Sequence, residues 1–306
     1  MILEILIILV ILTILFLLIV IYENTHLVQT NLSLEFEHLP KNANGTSFVL
    51  LSDLHSNEYG KENETLLRMI DNANPDFIVI AGDMIVGSEN CDYMVASNLL
   101  TKLASKYPIY YGFGNHEQKV EEYESKRVIL ASLNDSEICT REQYIRYLKK
   151  LGVTILDNRS ACISIKNEPC IQITGCSIDL SYFKRVHRPK MTTEYLKQII
   201  GMDRDEDRFQ LLIAHNPMYF EEYAELGADL IVSGHIHGGM VRLPVLGGII
   251  SPQLKLFPKY DAGVFQWNHG KKKSTMVVSR GLGMHKLKLR FFNRPEIIKI
   301  NLYRKG

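Results

Sequence analysis

Hydrophobic residues are distributed in two different ways along the chain. Over residues 2–22 they run almost without interruption (ILEILIILVILTILFLLIVIY), broken only by Glu4 and Thr13. An apolar stretch of about 20 residues matches the hydrocarbon thickness of a bilayer. It predicts a single transmembrane helix: a core helix would carry a polar face, and a cleaved signal peptide would have a basic start, a shorter apolar core and a small-residue cleavage site. Residues 23–46 are polar, include Asn42, Asn44 and Gly45, and read as a tether to a folded part over 47–306.

Beyond residue 46 the apolar residues come in short runs. SFVLLS at 47–52 predicts a buried strand, 62–74 a helix that stops before Pro75, and FIVIA at 77–81 a second strand, which together make a β-α-β unit. A helix over 93–106, punctuated by Pro108, leads to a third strand at 109–113. The periodicity then predicts a helix at 141–151, strands at 161–165 and 171–175, and strands at 209–214, 230–233, 276–279 and 296–302, with a helix over 218–226. Residues 182–207 mix basic and acidic clusters without a period and read as a surface insertion. No Pro/Gly/Ser-rich linker divides the chain, so the pattern predicts one α/β domain in which sheets are flanked by helices.

Composition narrows the function classes. Lys and Arg number 35 against 34 Asp and Glu, a net charge of +1, with 46% hydrophobic and 23% charged residues. That excludes disorder and a strongly basic nucleic-acid binder. Five cysteines without a C-x-x-C pair form neither a disulfide scaffold nor a thiolate zinc site, and read as buried thiols. The first Lys or Arg after the apolar run is Lys41, so the membrane face is weakly encoded, with an extracytoplasmic domain the favoured reading. Nothing in the sequence encodes an oligomeric state.

The chemistry gathers where predicted strands end: Asp53-Leu54-His55, Gly82-Asp83, Gly114-Asn115-His116-Glu117, His215-Asn216 and Gly234-His235-Ile236-His237. Strand ends are where α/β sheets bind ligands. Asp53 and His55 are two apart, as are His235 and His237, so on an extended backbone each pair points one way and grips one site. Singly, each segment has an ordinary explanation as a helix cap, a turn or a core histidine. Five of them, each after an apolar strand, point together to a metal site. Imidazoles, carboxylates and one amide oxygen without a thiolate suit Mn, Fe, Zn, Ni or Co, and admit Mg.

The order D-x-H, G-D, G-N-H-E, H, G-H-x-H resembles the calcineurin-like metallophosphoesterases, over residues 48–302. Within that superfamily, GHIHGGMVRLP (234–244), FPKYDAGVF (257–265), SRGLG (279–283) and FFNRPEI (291–297) resemble a branch of membrane-associated bacterial phosphoesterases, some of which are UDP-2,3-diacylglucosamine hydrolases. The resemblance implies a four-layer α/β/β/α sandwich carrying two divalent metal ions. Asp53, His55 and His237 would hold the first, Asn115, His215 and His235 the second, and Asp83 would bridge them. His116 would lie beside the metals without binding them, there to contact the phosphate or protonate the leaving oxygen, and Glu117 would start or support a helix.

The implied activity is hydrolysis of a phosphodiester or pyrophosphate by a metal-bridging hydroxide. A membrane anchor raises the effective concentration towards lipid-linked or nucleotide-sugar substrates. The alternative is an inactive phosphoesterase fold serving as a membrane-bound interaction platform; a nuclease is disfavoured by the near-neutral charge. Lys184, Arg185, Arg188, Lys190, residues 271–273, Lys286, Lys288 and Arg290 read either as solvated loops or as a surface for anionic headgroups or phosphate. Met284-His285-Lys286-Leu287-Lys288 is more basic than the resemblance leads one to expect, which points to a shifted substrate preference.

Overall fold

The computed structural model describes residues 1–127, 140–165, 168–201, 208–270, 272–284 and 287–306. The apolar run forms helix α1 (Ile2–Thr25), exposed along its hydrophobic length and long and apolar enough to cross a membrane. Strand β1 (Val28–Phe36) follows, then β2 (Ser47–Leu51), α2 (Glu64–Ala73) and β3 (Phe77–Ala81). Asn74 closes α2 in the left-handed conformation one residue before Pro75, which cannot continue it. Next come α3 (Met94–Ala104), β4 (Ile109–Gly112), α4 (Asn115–Arg127) and α5 (Arg141–Lys150), the last opened by a Thr140/Gln143 capping box. The second half holds β5 (Thr154–Leu156), β6 (Ser160–Ile165), β7 (Glu168–Cys176), α6 (Thr193–Ile200), β8 (Phe209–Ala214), α7 (Phe220–Glu225) and β9 (Leu230–Ser233). It closes with β10 (Val241–Leu243), β11 (Gly247–Ile250), β12 (Gly263–His269), β13 (Lys272–Val278) and β14 (Glu296–Arg304).

Among the described residues the strands build two six-stranded sheets, ordered β1-β14-β2-β3-β4-β5 and β12-β13-β9-β8-β7-β6, and a two-stranded ribbon, β10-β11. β2 to β5 run parallel in the first, and β13, β9, β8 and β7 in the second. The strands that pack between layers, β2, β3, β8 and β9, are buried at every residue because both faces are covered. Period-2 alternation splits each strand between two cores. Phe48, Leu50, Val79, Leu211 and Val232 pack between the sheets, whereas Val49, Leu51 and Ile80 meet Leu66, Leu99 and Leu148 of the helices outside the first sheet. Leu212, Ile231 and Met276 meet Leu196, Phe220 and Tyr223 outside the second. The result is a four-layer α/β/β/α sandwich.

Two expectations are corrected. The expected tether over 23–46 contains β1, which pairs parallel with β14 from Val28↔Glu296 to Phe36↔Arg304, so this stretch belongs to the first sheet. Its polar composition is that of an edge strand, with Leu32, Leu34 and Phe36 turned to the core and polar residues between them. The expected surface insertion is also partly core, since Tyr182, Met191, Leu196 and Ile200 are buried against the second sheet; residues 202–207 lie outside the described residues. Of the cysteines, Cys176 is a buried thiol, Cys91 is half-buried and Cys162 is exposed. Cys139 and the Cys170 side chain lie outside the described part.

Candidate metal centre

The C-terminal ends of β2, β3, β4, β8 and β9 open on one side of the sandwich and carry all the expected site residues. The chain leaves the extended conformation at once. Asp53, His55, Asp83, His235 and His237 have φ of 52°, 47°, 56°, 69° and 55°, left-handed values that residues with a Cβ adopt only where the surroundings impose them. Here neighbouring strand ends impose them, because Asp53 N–H donates to Gly82 O at 2.9 Å, His55 N–H to Asp83 O at 3.0 Å and Gly234 N–H to His215 O at 3.1 Å. The extended-backbone argument is therefore wrong for both D-x-H and H-x-H.

Its consequence for the H-x-H pair is also wrong, since the two histidines serve different clusters. Asp53, His55 and His237 bring their ligand atoms within 4.8 Å of one another, and so do Asp83, His215 and His235. In the first cluster His237 Nε2 is 3.4 Å from Asp53 Oδ1 and 3.3 Å from His55 Nε2. In the second, His215 Nε2 is 3.0 Å from Asp83 Oδ2. The clusters touch, with Asp83 Oδ2 3.9 Å from His55 Nε2 and Asp53 Oδ1 3.8 Å from His215 Nε2. His116 Nε2 lies 3.9 Å from Asp83 Oδ2, so a third grouping of His55, Asp83 and His116 has the same spacing. Asn115 is buried and its Oδ1 accepts no hydrogen bond among the described residues, an orphaned oxygen that a cation would satisfy.

Electrostatics fit a cation as well. Burial pushes the His235 imidazole well below its usual range and pulls His237 and His116 down, leaving neutral rings with lone pairs to offer. Burial alone would lower His215 too, but the Asp83 carboxylate outweighs it and pushes His215 up to about 10. For Asp83 burial opposes the charge, yet His215, His116 and His55 hold its carboxyl well below the carboxylate range. Positive charge is drawn to the point where the two clusters meet.

An outer layer orients these groups. His215 Nδ1 pairs with Ala81 O at 2.6 Å and His237 Nδ1 with Gly283 O at 2.7 Å, so in the neutral ring the lone pair of each lies on Nε2, facing the carboxylates; on His215 a bound cation would take the place of the Nε2 proton. Arg290 is buried and donates to the carbonyls of Arg280, Gly281, Gly283 and Asn293, so it holds the turn that receives His237. It cannot be part of a headgroup-facing surface. Gln253 lies 2.7 Å from His235 Nε2, leaving Nδ1 of that ring for the cluster. Glu117 accepts the backbone N–H groups of Asp83, Met84 and Gly114 and the Tyr111 hydroxyl, all between 2.7 and 2.9 Å. Burial and the Asp83 charge push its carboxyl up, while these donors favour the ionised form. Motif reading gave Glu117 only a supporting part and missed Gln253, because a glutamine between Pro252 and Leu254 carries no spacing signal.

A family model for calcineurin-like phosphoesterases matches residues 46–239. The chain belongs to that family. The match contains Asp53, His55, Asp83, Asn115, His116, His215, His235 and His237. This calcineurin-like phosphoesterase is 26% identical to the uncharacterized metallophosphoesterase YkuE of Bacillus subtilis, over 92% of its own length and 87% of the relative's. It is 25% identical to phosphodiesterase YaeI of Escherichia coli, covering 85% of this chain and 83% of that one. It is 24% identical to the UDP-2,3-diacylglucosamine pyrophosphatase LpxG of Chlamydia muridarum, covering 87% and 85%. The protein is a metal-dependent phosphoester hydrolase.

Around the centre of this phosphoesterase, the basic residues fall into separate places. Lys272 and Lys273 start β13, at the opposite end from the site, where Lys273 pairs with Glu37 at 2.9 Å. Lys184 and Arg185 are exposed and follow Phe183, whose ring centroid is 5.0 Å from that of His235. Lys271, His285 and Lys286 lie outside the described residues. Gly234 is a point of close approach, where a Cβ would meet Asp53 Oδ2 and come within 2.9 Å of Ser52 Cβ. Gly234→Ala is therefore expected to displace the Asp53 carboxylate and weaken metal binding about 10- to 100-fold, the usual effect of disturbing a ligand's support, in a protein that still folds. Metal titration alongside a thermal melt checks it.

Proposed function

We propose that this chain is a membrane-anchored phosphodiesterase or pyrophosphatase that works with two divalent ions on a lipid-linked or nucleotide-sugar substrate. The observation that carries the reading is the doubled ligand set joined at Asp83, whose Oδ2 is 3.0 Å from His215 Nε2 and 3.9 Å from His55 Nε2. Asp53, His55 and His237 would hold one ion, Asn115, His215 and His235 the other, and Asp83 both. The donor set suits Mn, Fe, Zn, Ni or Co and admits Mg. When bound, two such ions neutralise the charge of the phosphoryl group and bring the pKa of water between them towards neutrality. The apolar α1 and the similarity to LpxG support a substrate presented at a membrane.

His116 is the proton donor in this reading. Its Nδ1 accepts the Gly87 N–H at 2.8 Å, so in the neutral ring the proton sits on Nε2, the atom that faces Asp83. Donation of a proton to a leaving oxygen would come from the imidazolium form, which returns to a neutral ring; burial, which lowers the pKa of the ring, makes that imidazolium a stronger acid but a scarcer one at neutral pH.

The test is hydrolysis by the full chain in detergent, stripped of metal and then given Mn, with a phosphomonoester, a phosphodiester and a UDP-sugar pyrophosphate as substrates. Turnover restored by Mn, and greatest on the diester or pyrophosphate, is expected. His116→Ala is expected to slow it by roughly 10²- to 10⁴-fold with metal retained, the range for loss of a general acid. A folded protein that binds no ion and turns over nothing would instead be an interaction platform.

A further inference from the structure

Helix α1 does not simply end where the domain begins. The Phe16 ring lies 5.4 Å from the Phe291 ring, Asn24 Nδ2 donates to Lys288 O at 3.1 Å, and the Arg294 guanidinium sits 5.5 Å from the centroid of Tyr22 while its Nε donates to His26 O. Phe16 is six residues before Tyr22, about 9 Å back along the axis at 1.5 Å per residue. Phe291 therefore packs beside the apolar length of the helix and not beyond its end. If α1 crosses a bilayer, as the proposed function holds, Phe291 is at acyl-chain depth.

Phe291 is the edge of a small ribbon. It bridges to Val241 in β10, β10 pairs with β11, and Ile250 of β11 bridges to Leu256. This ribbon and the residue after Phe291 expose Val245, Leu246, Leu254, Leu256, Phe257 and Phe292, each more than half accessible. Large apolar side chains gathered in this way mark a surface meant to be covered. Four of them, Val245, Leu254, Phe257 and Phe292, stand at φ of 70°, 58°, 45° and 52°. Glycine or asparagine would occupy such positions with less strain, and a β-branched valine there is a true outlier. Strained turns that hold apolar side chains outward are a second, independent sign of a contact surface. Lys255, exposed between Leu254 and Leu256, is placed to lay its stem along the apolar surface and its charge among headgroups.

We propose that the ribbon of β10, β11 and residues 251–257, with Phe292, is a second membrane contact that sinks into the lipid beside α1 and holds the edge of the metal centre at the bilayer surface. The ribbon is fixed to that edge by Gln253, 2.7 Å from His235 Nε2, and by Asn293, which donates to His237 O at 2.7 Å. A cavity of about 270 Å³ lies between Asn24 and Thr25 of α1 and the Gly283-Met284 turn beside His237. The substrate class follows: a phosphoester or pyrophosphate at headgroup level whose acyl chains stay in the membrane during hydrolysis.

Depth-dependent quenching tests this in the full chain. The single tryptophan, Trp267, is replaced by phenylalanine, and tryptophan is introduced one site at a time by Phe16→Trp, Leu246→Trp and Phe257→Trp. Each protein is reconstituted in phosphatidylcholine/phosphatidylglycerol vesicles with and without bromine on the acyl chains. Blue-shifted emission that bromolipid quenches at 246 and 257, as at 16, is expected. Quenching at 16 with solvent-like emission at 246 and 257 overturns the proposal and leaves the anchor standing. No quenching at 16 overturns both. Blue-shifted but unquenched emission at 246 and 257 would mean that protein, a second copy or another partner, covers the ribbon, and it also overturns the lipid assignment. As a second readout, the Leu246→Glu/Phe257→Glu protein should lose turnover on a diacylated pyrophosphate in vesicles while hydrolysing bis(p-nitrophenyl) phosphate in solution as before; equal loss on both would count against lipid seating.

Discussion

Asp83→Ala is expected to empty the centre of metal and to lower turnover by roughly 10⁴-fold or more, because in the proposed two-ion centre each ion's charge stabilisation is worth several kcal/mol and both ions would depend on this residue. One oxygen of the carboxylate, Oδ2, is the atom the two clusters share, lying 3.0 Å from His215 Nε2 and 3.9 Å from both His55 Nε2 and His116 Nε2. The other, Oδ1, accepts the His116 N–H at 2.8 Å. Without it, Asp53 is the only carboxylate left among the proposed ligands, and the proposed pair of ions would keep one counter-charge in place of two. His215 also loses the stronger of the two carboxylates that push it up, so its pKa falls from its raised value. The loop loses the bond from the His116 N–H, at about 1–3 kcal/mol, but should survive, because Glu117 still holds it through the Asp83 backbone N–H. Metal content, kcat/KM and a melting curve on one preparation separate these effects. A fully metallated, active Asp83→Ala protein would overturn the two-ion reading, and an unfolded one would move the role of Asp83 from binding to folding.

The site was legible in the sequence as an inventory but not as a geometry. Asp, Asn and His residues directly after apolar strands were visible because β2, β3, β8 and β9 are buried on both faces and so read as short apolar runs. The direction of the side chains was not visible, since alternation rules describe extended backbone and the chain turns left-handed at Asp53, His55, Asp83, His235 and His237. Strain imposed by a functional site is where a local rule is expected to fail. Only the family resemblance divided His235 from His237. The outer layer was the least legible part, because it works through carbonyls and amides such as Ala81 O and Gly283 O, which every residue possesses.

The fold shows the same division. Buried strands were placed within a few residues, as with Phe77–Ala81, Phe209–Ala214 and Leu230–Ser233. The edge strands β1 and β12 were missed, because each buries one face at most and their polar residues imitate linker composition. Leu32, Leu34 and Phe36 carried the period-2 signal for β1, but the surrounding asparagines and charges outweighed it. Helix α4 escaped for a different reason. Its sequence, NHEQKVEEYESKR, has almost no apolar stripe, and it is held by its N-terminal turn, where Glu117 anchors it to the β3 and β4 ends.

That anchorage makes Glu117 the residue whose loss should most disturb the folded site. Its Oε2 accepts from Asp83 N–H and Gly114 N–H, both at 2.9 Å, and its Oε1 from Met84 N–H at 2.8 Å and Tyr111 Oη–H at 2.7 Å. Alanine would orphan three buried N–H groups, and at about 1–3 kcal/mol each the expected destabilisation is about 3–9 kcal/mol, a large part of the stability of an ordinary domain. Glutamine should be much milder. Its single oxygen can keep the Asp83 and Gly114 bonds, and its NH₂ can donate to a Tyr111 hydroxyl that turns to accept, leaving only the Met84 N–H without a partner, a loss of about 1–3 kcal/mol. Metal affinity should follow the same order, since the clamp joins the Asp83 loop to the turn that carries Asn115. Melting temperatures and metal titrations of Glu117→Ala and Glu117→Gln measure both. If the two variants were equally destabilised, the four-donor clamp would not be what holds these loops together, and if both bound metal as the parent does, the ligands would keep their places without it.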